Sequence, residues 1–159
     1  MTQAQMQAIA THIRASVDPA VVAALAIRND VELARLYNLP TTFIVWRNSI
    51  DPQQARMAIV SGDQLAQLDN LTAGKRDTLL YVFSDVLDIR TSTVRDAVIS
   101  LCGTQNILKA AITAAMKRAA TVAEKALATG TGTDVSPGTL TFEGELSWDD
   151  IGILLNMGV

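Results

Sequence analysis

One cysteine, one histidine and four prolines stand in this 159-residue chain, and aromatic residues make up only 4% of it. The lone Cys102 excludes an intrachain disulfide and a cysteine-built metal cage. With His12 as the only histidine, the usual zinc and paired-histidine sites cannot assemble within one chain either. Apolar runs near the ~18 residues of a membrane span are missing, and the start MTQAQMQAIATHIRASVD has neither the basic leader nor the unbroken apolar stretch of a signal peptide. A soluble product made in the cytoplasm is the expectation. What the chain does have is 49% hydrophobic residues with 18% charged, enough apolar content for a single folded body of ordinary size.

The charge is uneven. Residues 134–159 carry Asp134, Glu143, Glu145, Asp149 and Asp150 with no Lys or Arg, so the acidic total of -3 comes from the C-terminal part. An acidic chain argues against general nucleic-acid binding, which needs clustered cations to neutralise phosphates.

Periodicity predicts a mainly α protein. A first helix over 3–16 has Met6, Ile9, Ala10 and Ile13 on one side. Asp18-Pro19 starts a second, over 19–38, with Val22, Leu25, Ala26, Leu33, Leu36 and Tyr37 as its apolar side and Pro40 as its stop. A short extended segment near 41–47 follows, from Thr41-Thr42-Phe43-Ile44-Val45-Trp46. Asp51-Pro52 opens a short helix that Gly62 breaks. Asp63 then caps a turn with Leu65 and Leu68, Thr72 caps a helix through Val86, and Ser92 opens one that Gly103 ends.

Residues 105–128 read as one long helix near the C-terminal end of a bundle. Leu108, Ile112, Ala115, Met116, Ala119, Val122, Ala123 and Ala126 share an apolar arc, and Lys109, Lys117, Arg118 and Lys125 form a basic stripe on the other side. The organisation expected is a helical-bundle body over 1–128, a Thr/Gly linker over 129–138, and a C-terminal strand plus helix over 139–159. In that tail Leu140 and Phe142 alternate with Thr139, Thr141 and Glu143, and Ser147 with Asp150 caps a last helix bearing Trp148, Ile151, Ile153, Leu154 and Leu155.

Few residues suggest chemistry. His12 has no carboxylate or nucleophile close in sequence and reads as a surface or half-buried histidine. Cys102 reads as an inert buried thiol. The stretch Gly130-Thr131-Gly132 leaves a helix end instead of opening a helix, the wrong polarity for a phosphate loop. Asp149-Asp150 reads as a capping pair before it reads as a cation site. No catalytic, metal or cofactor residue is assigned, and a non-enzymatic role is the expectation. The basic stripe is either a solvated face or the partner of an acidic surface, and Trp46 and Trp148 suit either a core or an interface anchor.

Two stretches carry a resemblance: Ala26-Ile27-Arg28-Asn29-Asp30 through Trp46-Arg47-Asn48-Ser49, and Lys117-Arg118-Ala119-Ala120 through Thr129-Gly130-Thr131-Gly132-Thr133-Asp134 into Thr139-Leu140-Thr141-Phe142-Glu143-Gly144. Together they resemble the neck proteins of tailed bacteriophages, in particular the head-tail connector adaptors, or head-completion proteins. A tail terminator or another neck protein is the neighbouring reading, and a cytoplasmic helical regulatory or binding module is the alternative of a different class. The resemblance implies a virion protein in a homo-oligomeric ring, dodecameric to match the portal, that binds the portal above and the next neck or tail protein below. Genomic DNA would pass through the ring without sequence-specific contacts. The expected partner-binding residues are Phe142, Trp148 and Leu154 of the tail, with Lys109, Lys117, Arg118 and Lys125 of the stripe.

Overall fold

Thr2 and Gln5 cap each other, the Thr2 hydroxyl accepting Gln5 N–H at 3.2 Å and the Gln5 side chain accepting Thr2 N–H at 2.8 Å, and the first helix starts there. In this computed structural model, which describes residues 1–60 and 63–157, the chain order is α1 (Gln3–Arg14), α2 (Pro19–Ala26), α3 (Asp30–Tyr37), β1 (Pro40–Trp46), β2 (Ser49–Ile50), α4 (Pro52–Val60), α5 (Asp63–Asp69), α6 (Ala73–Val82), β3 (Leu87–Asp88), α7 (Ser92–Leu101), α8 (Asn106–Ala115), β4 (Lys117–Thr121), α9 (Val122–Leu127) and α10 (Trp148–Asn156). The mainly α expectation holds. The predicted break at Gly62 lies outside the described residues.

The helix predicted over 19–38 is two. Asp18 accepts Ala20 N–H at 2.8 Å and opens α2 as expected, but Arg28 turns into the left-handed region with φ 51°. Asn29 then accepts Glu32 N–H at 3.1 Å and starts α3 afresh. Asn29-Asp30 is a start signal lodged inside an apolar pattern that continues across it. Nearby caps differ in detail: the Thr72 side chain makes no cap hydrogen bond, and Thr91, ahead of the predicted Ser92, accepts Val94 N–H at 3.4 Å.

The long helix over 105–128 is replaced by helix, strand and helix. α8 stops at Ala115, β4 pairs with β1, and a second reciprocal cap, Thr121 with Glu124, opens α9. Val122 N–H reaches Leu39 O at 3.1 Å and Arg47 N–H reaches Met116 O at 2.9 Å, so the two strands run antiparallel. The β-branched and aromatic strand β1 leaves a row of amides that need acceptors, and residues 117–121 supply them at the expense of their own helical bonds. Elsewhere β2 and β3 pair antiparallel, Ser49 opposite Asp88 and Ile50 opposite Leu87.

Two compact units result, residues 1–45 with those from 119 on, and residues 46–118. The division therefore falls within the paired strands β1 and β4, not at residue 129. The first unit has its core in Ile9, Ile13, Leu33, Tyr37, Ile151 and Leu154. The second has its core in Ile50, Leu79, Phe83, Ile89, Leu108 and Ile112. Each such side chain contributes about 1.5 to 3 kcal/mol by leaving water.

Residues 129–138 are not a free linker within the first unit. Thr129 and Thr139 exchange backbone bonds at 3.0 and 2.9 Å, Ile44 N–H reaches Gly132 O at 2.8 Å, and Gly138 N–H reaches Ile44 O at 2.8 Å. Nor is 139–146 a regular strand. After the bridge at Thr139 the segment is fastened by side chains: Thr141 donates to Leu127 O at 2.8 Å, Glu124 accepts Gly144 N–H at 3.1 Å, and Asn38 holds both the N–H and the C=O of Leu146 at 2.8 Å. Alternation alone could not show that the partners would be side chains.

No single helix among the described residues is long and apolar enough to cross a membrane. α1 and α2 have the combined length and composition, but they meet at 103°.

Candidate functional site

α10 is apolar on two sides. Ile151 and Leu154 are fully buried against α1 and α3, whereas Trp148 is 59% and Ile153 55% exposed. The helix is fixed at both ends. Ser147 and Asp150 close a reciprocal cap at the start, and Arg14 donates to Leu155 O at 3.1 Å and Met157 O at 3.0 Å at the finish, where a cation also suits the helix dipole. Arg28 adds a bond to the side chain of Asn156. On the neighbouring α2–α3 corner Ile27 and Val31 are 76% and 66% exposed. Large apolar side chains thus stand in water on two elements of one unit, although α3 and α10 pack directly on each other.

Of the tail residues expected at a partner surface, only Trp148 has its side chain mostly in water. Leu154 belongs to the unit's own core, because the tail helix turns that face inward, and Phe142 is half-buried against the same core. The sequence puts Ile153 among the apolar content of the helix without distinguishing it from Leu154. A helix apolar on both sides gives periodicity no means of choosing the inner one.

The basic stripe is dispersed. Lys109 lies on α8, Lys117 and Arg118 on β4, and Lys125 on α9, so no common helical face carries them. Lys109 and Lys125 are exposed, while Lys117 and Arg118 are half-buried. The Lys117 ammonium lies 5.8 Å from the centroid of the Trp46 ring, and the Arg95 guanidinium lies 4.6 Å from it. Arg95 is itself buried and donates to Ile89 O at 2.8 Å and Arg90 O at 2.7 Å; burial pulls its guanidinium below the usual arginine value. This arginine had no sequence signal, being one charge among the polar positions of a helix.

His12 is drawn into a side-chain pair. Its Nδ1 lies 2.7 Å from the Tyr37 hydroxyl, with the rings edge to face at 5.6 Å. Burial, with a contribution from the negative charge of Asp18, pushes the Tyr37 phenol above its ordinary range. Tyr37 therefore stays protonated, and its hydroxyl is able both to donate to and to accept from the imidazole ring. The two line a cavity of about 230 Å3 with Ser16 and Asp18, in which the Ser16 hydroxyl accepts Asp18 N–H at 3.3 Å. Cys102 is buried, its thiol pushed up chiefly by burial, with Sγ 3.9 Å from Val98 O. No group of three or more His, Cys, Asp or Glu that could hold a metal ion occurs among the described residues.

Two clefts of about 440 Å3 lie in the second unit. One is apolar, between α6 and α7, with Val82, Leu87, Val94 and Leu101 on its walls. The other is polar at one side, where Arg47, Gln53, Gln54 and Lys117 meet Met57 and a wall of small residues. Its residues come from separate stretches of chain, so no local motif announced it. Comparison with protein-family models, with curated proteins and with solved structures finds no match.

Proposed function

We propose that this chain is a structural virion protein of a tailed bacteriophage, a head-tail connector adaptor that forms a ring below the portal and joins the capsid to the tail. The observation that carries the reading is the set of large apolar side chains that stand in water on the first unit. Trp148 and Ile153 on α10, with Ile27 and Val31 on the α2–α3 corner, are each more than half exposed. Large apolar side chains held on or beside capped helices suit an assembly surface, because little conformational entropy remains to be lost on docking. Tryptophan is among the residues enriched at such anchors. The resemblance of residues 26–49 and 117–144 to neck proteins supplies the kind of assembly.

In this reading the tail does not reach across to a neighbour as a free arm. It folds onto its own unit and presents Trp148 outward, with Ile153 taking the place expected of Leu154. The test is light scattering after size-exclusion chromatography, of the chain alone and mixed with portal protein. Comigration with portal rings in a fixed stoichiometry supports the adaptor role. A small oligomer indifferent to portal protein, with a soluble partner recovered from the cytoplasm, would replace it with a regulatory module.

A further inference from the structure

We propose that the cleft between α4 and α8 binds a small oxyanion, a phosphate or carboxylate group carried on a short apolar body. Its volume of about 440 Å3 is in the range of small-ligand sites. Arg47 is the first reason. Its backbone N–H is engaged by Met116 O at 2.9 Å, yet the side-chain Nε is buried without a hydrogen-bond partner among the described residues. Burial at Nε fixes this side chain beside the cleft, and a guanidinium is the group whose planar fork matches an oxyanion best.

The second reason is the sign of the lining. Arg47 and Lys117 are its charged members, with no Asp or Glu between them, and the amides of Gln53 and Gln54 add neutral donors from the first turn of α4. Asp51, the carboxylate next to that turn in sequence, accepts Gln54 N–H at 2.9 Å as the cap of the helix and is not part of the wall. The third reason is the opposite side, where Met57, Ala58, Ala114 and Ala115 form an apolar wall of mostly small side chains. A charged head with nothing attached would leave that wall wet. A short alkyl or similar body covers it.

The experiment follows backbone amide shifts of the full chain by NMR at constant ionic strength, with inorganic phosphate, hexyl phosphate and hexanoate as separate probes. Saturable shifts gathered at residues 53–58 and 114–117 with hexyl phosphate or hexanoate are the expected result, and the tighter of the two identifies the head group. Arg47→Gln should weaken that binding at least about tenfold. Gln53→Glu keeps an exposed helix start intact while placing a carboxylate in the cleft, so it should weaken binding comparably even if Arg47→Gln fails to fold. Met57→Gln should weaken the hexyl compounds and leave inorganic phosphate unchanged. Absence of saturable shifts in the cleft with all three probes, or unaltered affinity in Gln53→Glu, overturns the proposal.

Discussion

The ring of Phe43 fills the space that a β-carbon on Gly132 would need. Gly132 also sits at φ 65°, and a β-carbon on Gly138 would come within 2.9 Å of Thr129 O, so the loop closes around the ring only because both positions are glycine. Gly132→Ala adds the left-handed penalty to a steric clash and should destabilise the first unit by about 2 to 4 kcal/mol. Thermal unfolding followed by circular dichroism measures it; an unchanged midpoint would mean that the loop is not docked.

The cap of α10 makes a prediction in pH. The Ser147 hydroxyl and amide hold the Asp150 carboxyl below its ordinary value of 3.8. A carboxyl whose folded value is depressed adds stability above its unfolded value and loses it as pH falls through the folded one. The stability gap between the native chain and Asp150→Asn should therefore be widest near neutrality and close as pH falls below about 4. Ser147→Ala should cost about 1 kcal/mol at neutral pH. Urea unfolding at a series of pH values checks both, and a gap independent of pH would show that the carboxylate does not cap the helix.

Truncation after Thr133 removes Leu140, Leu146, Ile151 and Leu154, all buried. Losing four side chains worth about 1.5 to 3 kcal/mol each is comparable to the whole net stability of a small domain. The first unit should lose cooperative unfolding and expose apolar surface to a dye such as ANS. A truncated chain with an intact, cooperative first unit would restore the view of the tail as a separable arm.

Local chemistry was legible wherever the partner lay within a turn. Asp18-Pro19 and Ser147 with Asp150 start helices where the sequence places them, as the reach of a short side chain requires. The same kind of signal is masked where a stronger pattern runs over it. Thr121 and Glu124 form a cap, but in an alanine-rich stretch with helical spacing they pass for the polar face of a longer helix. Strand β4 exists because β1 lies beside it, and that pairing joins residues about eighty positions apart in sequence. The surface site was half legible for a related reason. Trp148 could be named from its type, whereas choosing Ile153 over Leu154 required knowing which side of α10 meets α3. The cleft around Arg47 had no linear signal, since its walls meet only after α4 and α8 pack.

The assembly claim is tested most directly by the double variant Trp148→Ser, Ile153→Ser in the portal-binding experiment. Both side chains are more than half exposed, so the variant should keep the native circular dichroism spectrum and unfold within a few degrees of the native chain. This folded variant should no longer comigrate with portal rings and should no longer form rings of its own. Binding to the portal with native stoichiometry and affinity, in a variant shown to be folded, would contradict it.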